Sequence, residues 1–295
     1  MERGVCSLAL VREGETLLFD CGEGTQRQMM RYGITFALDD VFFTHFHTDH
    51  VLGVVGLVRT FQLGGRTEVL RLWGPRGADR VLRQHIFAGG SERLSYDLDI
   101  RELAPGDVVP RNGYDIRTFD VDHRGAQSLG YAVVEHERLG RFDPEMARAL
   151  GVPEGPLWGL LHRGRSVQLD DGAVVHAASL VGPVRPGRKV VIVGDTRPSA
   201  TTVDAARGAD VLVHESTFAD EESERAAETG HSTAREAAMV ARTAEVGRLL
   251  LTHISARYSR DAGVLEREAR TVFPHSRVAR DGMEVDIPFA AESEP

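Results

Sequence analysis

His45, Phe46, His47, Thr48, Asp49 and His50 form the run H-x-H-x-D-H, directly after the apolar stretch Val41-Phe42-Phe43. Four metal-binding groups fall within these six residues. Three are imidazoles, which are largely neutral near pH 7 and so can coordinate a cation. On a strand, residues two apart point the same way, so His45 and His47 can grip one ion together. Asp49 and His50 come after the strand must turn and can serve a second ion. A loop that is merely polar rarely carries three histidines and an acid at this spacing behind a strand.

Other residues of the same chemical type stand in comparable places. The hydrophobic pattern predicts strands over Cys6–Val11, Thr16–Phe19, Val41–Phe46, Val69–Trp73, Ile116–Val121, Gly130–Glu135, Lys189–Val193, Asp210–Val213 and Arg248–Leu251. Helices are expected from the glycine-rich turn Asp20–Gln26 through Arg31, over Val51–Leu63, from Pro75 to about Phe87, over Thr233–Glu245 and over Ser259–Phe273. Thr233 with Glu236 fits a capping box, and Gly247 a helix stop. Strands alternating with helices give an α/β layered protein. His45 and His47 are at or just past the end of strand 41–46, and Asp195 follows Val190–Gly194. His214 and Glu215 follow Val211–Val213, and His253 follows Leu249–Thr252. Ligand-type residues at four carboxyl ends imply one shared rim, where open α/β sheets bind ligands.

Two ions need about eight ligands, one of them shared. His45, His47 and His123 would form one site, and Asp49, His50 and His253 the other, with the Asp195 carboxylate between them. Ions about 3.5–4 Å apart can stabilise both oxygens of an in-line displacement at phosphorus. The imidazole-rich, thiolate-free set points to two Zn2+ per chain, with Mn2+ able to substitute. His85, His136, His162, His176 and His275 lack partners at metal spacing and read as surface or structural.

The bulk composition excludes little else. A chain of 295 residues with 42% hydrophobic and 27% charged residues is long enough for one large core. Cys6 and Cys21 make neither a disulfide framework nor a zinc knuckle. No apolar run approaches a membrane span, and the opening Met1-Glu2-Arg3-Gly4 lacks a signal-peptide core, so a cytoplasmic location is the expectation. The formal net charge of −9 argues weakly against nucleic acid, but bound dications and local patches would offset it. Lys189 is the single lysine. Residues 138–188 hold Pro144, Pro153, Pro156, Pro183 and Pro186, and a short helix capped by Asp143 and ended by Gly151. They read as an arm inserted into a single domain spanning 1–295.

The H-x-H-x-D-H run, the lone His123, the Gly-Asp-Thr aspartate and the late His253 resemble the metallo-β-lactamase fold. Further strings resemble the ribonuclease Z (tRNA 3′-endonuclease) signature in its short bacterial and archaeal form. They are Phe19-Asp20-Cys21-Gly22-Glu23-Gly24-Thr25-Gln26, Gly194–Pro198, Val213-His214-Glu215-Ser216-Thr217-Phe218, Gly230-His231-Ser232-Thr233 and Leu251–Tyr258. The resemblance runs in order over essentially the whole chain. It implies an αββα sandwich with the metals at one edge, a homodimer, and an arm that grips the elbow of precursor tRNA. In the arm, Gly155-Pro156-Leu157-Trp158-Gly159 followed by His162, Arg163 and Arg165 resembles the family's arm string, which makes Trp158, Arg163 and Arg165 the expected substrate-binding residues. Glu2–Ser7 resembles the end of the family's opening segment, so about twenty residues and an N-terminal strand are expected to be missing.

The implied reaction cuts one phosphodiester bond and removes the 3′ trailer from precursor tRNA, leaving a 3′-hydroxyl on the tRNA. Asp49 would orient or deprotonate the attacking water, and His231 supported by Glu215 would protonate the departing oxygen. The alternative is another hydrolase of this fold acting on small molecules, a phosphodiesterase or an arylsulfatase-like enzyme. A non-catalytic RNA-binding module would not need seven convergent ligands.

Overall fold

A computed structural model of the chain describes residues 3–88 and 93–289. Met1 and Glu2, which open the N-terminal string, lie outside the described residues. The chain starts with the antiparallel pair β1 (Leu8–Arg12) and β2 (Glu15–Phe19), followed by α1 (Thr25–Tyr32) and β3 (Asp40–Phe42). Next come α2 (Thr48–Val51), α3 (Gly53–Leu63), β4 (Leu70–Pro75), α4 (Ala78–Ile86) and β5 (Leu98–Leu103). These five strands form one sheet in sequence order.

The second half begins with β6 (Val108–Arg111), β7 (Tyr114–Asp120) and β8 (Leu129–Glu135). The chain then leaves the sheet for α5 (Pro144–Ala149), α6 (Pro156–His162) and the small hairpin β9 (Val167–Gln168) and β10 (Val174–Val175). It returns as β11 (Lys189–Ile192), α7 (Ala200–Ala206), β12 (Val211–Glu215), α8 (Ser223–Thr229), α9 (Ala234–Thr243), β13 (Arg248–Thr252), α10 (Gly263–Val272) and β14 (Ser276–Val278). The second sheet has the order β14-β13-β12-β11-β8-β7-β6.

The two sheets face each other across an aromatic core of Phe19, Phe42, Trp73, Tyr114 and Tyr131, filled out by Ile192 and Val213. The Phe42 ring stacks on Phe19 at 5.3 Å and on Trp73 at 5.7 Å. Each such side chain stabilises the fold by roughly 1.5–3 kcal/mol through burial alone. Met29, Val54, Leu57, Phe61 and Leu82 of α1, α3 and α4 cover the outer face of the first sheet. Ala206, Ala237, Ala241, Leu265 and Ala269 of α7, α9 and α10 cover the second, the four alanines letting the helices sit close. The result is the αββα metallo-β-lactamase sandwich that the sequence implies.

Strand direction places the site. β8 is antiparallel to both β7 and β11, while β11, β12 and β13 are mutually parallel. The carboxyl ends of β7, β11, β12 and β13 therefore lie on one rim, and each releases a polar residue there. The loop after β3 of the first sheet is tied to the same rim, where the Leu129 N–H at the start of β8 donates to the Thr44 carbonyl at 2.9 Å.

Several boundaries differ from the sequence expectation. Strand 41–46 ends at Phe42, because the Thr44 N–H donates to the Asp20 carboxylate at 2.8 Å instead of continuing the ladder. His45 and His47 thus sit on a loop, and their common aim comes from its fold and not from strand alternation. The helix expected over 51–63 begins three residues earlier and breaks at Leu52 into α2 and α3. Gly53 sits there because a Cβ would lie 1.9 Å from the Gly22 carbonyl oxygen. Pro75 closes β4, and α4 starts after the left-handed Gly77. The helix expected from Ser259 starts only at Gly263, whose N–H donates to Asp261 Oδ1 at 2.9 Å. The short strands β5, β6 and β14 carried no clear apolar alternation and were not expected.

Candidate metal centre

Asp195 stands in the middle of the rim, in the turn after β11, and is 3% exposed. Its Oδ1 lies 3.2 Å from His50 Nε2 and 3.3 Å from His253 Nε2. Its Oδ2 lies 3.5 Å from His45 Nε2 and 3.8 Å from His123 Nε2. One carboxylate thus divides two groups of imidazoles, one oxygen to each. His47 joins the Oδ2 side, with its Nδ1 3.3 Å from His123 Nε2. Asp49 joins the other, with its Oδ2 3.1 Å from His253 Nε2 and 3.7 Å from His50 Nε2.

Single ligand atoms of His45, His47, His123 and Asp195 all lie within 4.8 Å of one another, as do those of Asp49, His50 and His253. All seven residues read from the sequence as ligands are therefore brought together, in the two groups expected. The five histidines set aside join neither group.

The backs of four imidazoles are tied down, which aims Nε2 at the centre. His45 Nδ1 meets Thr44 Oγ1 at 3.0 Å, and His50 Nδ1 meets Asp20 Oδ2 at 2.8 Å. His123 Nδ1 donates to the Gly230 carbonyl at 2.9 Å, and His253 Nδ1 meets Thr217 Oγ1 at 2.8 Å. Such outer partners fix ring orientation and tautomer. Asp20 and His253 both adopt left-handed backbone, with φ of 56° and 52°. That conformation costs a non-glycine residue on the order of 1–2 kcal/mol, so packing here holds side-chain aim against backbone preference.

The donor set fits a divalent cation. His45 Nε2, His50 Nε2 and Asp195 Oδ1 are buried and have no hydrogen-bond partner. They lie close together but are not aligned along N–H···O directions. Leaving such groups unsatisfied costs about 1–3 kcal/mol each, and a cation between them would remove that cost. Charge points the same way. The His253 hydrogen bond, opposed by partial burial, holds the Asp49 carboxyl at about 2, so it is ionised at neutral pH. Burial pushes the Asp195 carboxyl up, but His253, His45 and His50 outweigh it and hold it well below the usual range. Burial pulls His253 down, but Asp195 and Asp49 raise it to about 9. The centre draws positive charge. Cys6 stands behind it, near Asp20 and His50, and burial pushes its thiol up.

His231 flanks the centre from the loop before α9, its ring stacked on His253 at 5.4 Å and 16°. Its Nδ1 lies 2.9 Å from Glu215 Oε1, and its side chain is 15% exposed. Glu215 is fully buried at the end of β12. Its carboxylate accepts from the N–H groups of Thr196, Ser232 and Thr217 at 3.1, 3.1 and 2.9 Å, and from Thr217 Oγ1 at 2.8 Å. This satisfied, immobile carboxylate fixes the His231 ring with Nε2 left for other partners.

The arm residues lie elsewhere. Arg163 and Arg165 are exposed. Trp158 is half-buried against Phe142, its Nε1 donating to the Val152 carbonyl at 3.2 Å and Arg148 lying over its ring. Sequence reasoning assigned no role to Asp20, Thr44 or Thr217. Asp20 and Thr217 were inside the strings that carried the family resemblance, but a side chain that acts through another has no spacing signal of its own.

Residues 2–253 match the family model of the metallo-beta-lactamase superfamily. A ribonuclease Z of Gemmatimonas aurantiaca is 62% identical over 99% of this chain and 93% of that protein. A ribonuclease Z of Myxococcus xanthus is 52% identical over 98% of this chain and 94% of that one. The crystal structure of human tRNase Z, short form, superposes with a TM-score of 0.69 at 26% identity, covering 98% of this chain and 94% of that one. With the sandwich, the rim and these relatives in agreement, the chain belongs to the ribonuclease Z family of the metallo-β-lactamase superfamily.

Proposed function

We propose that the protein is a metal-dependent endoribonuclease that removes the 3′ trailer from precursor tRNA by hydrolysing one phosphodiester bond. The observation that carries this reading is the divided Asp195 carboxylate, one oxygen toward His45 and His123 and the other toward His50 and His253. Such a centre suits two divalent cations, and the imidazole and carboxylate donors suit zinc, with manganese able to substitute. His45, His47 and His123 would hold one, Asp49, His50 and His253 the other, and Asp195 both. When bound, the cations would supply Lewis-acid stabilisation of charge on the phosphoryl oxygens.

The chain's own residues would do the rest. Asp49, ionised and only half-buried, would orient an attacking water and accept its proton. His231, held by Glu215, would deliver a proton to the 3′ oxygen that leaves. The arm, with Arg163 and Arg165 exposed and part of the Trp158 face available, would bind tRNA away from the chemistry. The functioning unit would be a cytoplasmic homodimer. Among the described residues no helix is long and apolar enough to cross a membrane.

The small-molecule alternative keeps the same centre but gives the arm no task. Turnover on precursor tRNA and on bis(p-nitrophenyl) phosphate separates the two. A single cut in the tRNA, with slow hydrolysis of the small ester, supports the endonuclease. Rapid ester hydrolysis with intact tRNA would sink it.

A further inference from the structure

The C-terminal tail braces the stalk on which the arm stands. The outgoing chain of the stalk leaves β8 at Glu135, and the returning chain enters β11 at Lys189. The two pair as a narrow ribbon: the Arg138 N–H donates to the Arg185 carbonyl at 2.8 Å, and the Arg185 N–H returns the bond at 2.9 Å. A second bridge joins Phe142 and Val181. The chains nearly touch at Gly140, where a Cβ would lie 1.9 Å from the Gly182 carbonyl oxygen. An isolated two-stranded ribbon is marginal in water and does not hold its own direction. Beyond it the arm packs on itself, around Ala147, Val152, Leu161, Val167, Val175 and Leu180.

A third chain reaches this ribbon. Arg248 Nη2 donates to the Asp286 carbonyl at 2.7 Å, the Ile287 side chain packs against the core between the sheets, and Arg188 Nη1 donates to the Ile287 carbonyl at 3.1 Å. Two residues on, the Phe289 ring lies 3.4 Å from the Arg138 guanidinium carbon and 4.2 Å from that of Arg188. Arg138 belongs to the outgoing chain and Arg188 to the returning one, so a single ring grips both. Arg138 Nε is buried without a hydrogen-bond acceptor, which leaves the ring face as its electrostatic complement. Arg188 is held in turn by Glu135, its Nε donating to Glu135 Oε2 at 2.8 Å.

We infer that Phe289 is a positioning residue for the tRNA substrate: it fixes the direction of the arm by clamping both chains of its stalk to the tail. The inference rests on the proposal that the arm binds precursor tRNA. An arm held in its binding direction loses less conformational freedom when tRNA docks, so releasing it weakens binding without touching the chemistry.

The test compares Phe289→Ala and Phe289→Tyr in the full-length protein, by hydrogen exchange and by kinetics. The alanine variant is expected to speed exchange in stalk peptides covering 135–142 and 181–189. It should raise KM for precursor tRNA roughly three- to tenfold, with kcat and bis(p-nitrophenyl) phosphate hydrolysis unchanged. Tyrosine, which keeps the ring face, should restore both. Unchanged exchange in the alanine variant overturns the brace. Faster exchange with unchanged KM overturns the positioning role, and a variant with the arm replaced by a short linker then tells how far the failure extends. Unchanged KM there sinks the arm reading as well, while a raised KM there leaves it standing and sinks only the role of Phe289.

Discussion

Asp49 and His231 can be told apart by the leaving group. Asp49 would be both a ligand to a cation and the group next to the attacking water, so Asp49→Ala is expected to abolish nearly all cleavage of every substrate. His231→Ala would remove the proposed proton donor and none of the proposed ligands. p-Nitrophenolate leaves without protonation, so hydrolysis of its diester should survive far better than cleavage of precursor tRNA, where losses of about 10²–10⁴-fold are usual for a general acid. Equal losses on the two substrates would take His231 out of that role. Asp20 makes a different prediction. It contacts His50 only through Nδ1, at 2.8 Å, so Asp20→Asn should weaken cation affinity about 10–100-fold, read by chelator competition, while the saturated enzyme keeps most of its kcat. The candidate ligands that the fold brings together were legible in the sequence because coordination chemistry restricts residue type and spacing. Asp20, Thr44 and Thr217 were not, since they act by aiming a neighbour, and aspartate and threonine are common in turns for other reasons.

At the scale of elements, the arm has its own apolar cluster, including Val167, Val175 and Leu180 beyond its second helix. Cutting out only 141–165 would strand those residues, so the informative variant replaces 141–181 by a short glycine linker between the two stalk chains. It should raise KM for precursor tRNA strongly and leave hydrolysis of a small diester nearly intact. Loss of both activities together would mean that the segment supports the core. The root of the stalk also carries a pH signature. Burial pushes the Glu135 carboxyl up, but hydrogen bonds from Arg188 and Arg12 overcome it and hold the group at about 2. Its ordinary value is about 4.5, so its contribution to stability is complete above that pH and is lost as pH falls toward 2. The Glu135→Gln variant should therefore show a smaller loss of Tm between pH 5 and pH 3 than the parent; parallel curves would remove Glu135 from the account. The arm was visible as a break in composition, and the alternation of the last third gave β11 to β13 nearly intact. The strand carrying the histidines was overextended because Val41 to Phe46 is apolar enough to continue, and only the distant Asp20 carboxylate turns it away. Nothing local in the sequence marks that contact.

The whole molecule combines a net charge of −9 with a polyanionic substrate. The sandwich resolves this by separating tasks: cations would offset the carboxylates at the rim, and exposed arginines on the arm would meet the RNA backbone. This arrangement came from the order of elements, because four carboxyl ends on one rim follow from strand direction once the strands are placed. The central claim is that this rim, loaded with metal, makes one defined cut in precursor tRNA. The most direct test strips the protein with a chelator, reloads it with zinc or manganese, and maps the ends produced from a tRNA precursor bearing a 3′ trailer. About two ions are expected to bind per chain, with no cleavage in the stripped protein, and in the reloaded protein one tRNA product ending in a 3′-hydroxyl with a trailer bearing a 5′-phosphate. Less than half an ion per chain with no activity after reloading, or reloaded protein that hydrolyses bis(p-nitrophenyl) phosphate while leaving the precursor whole, would contradict it.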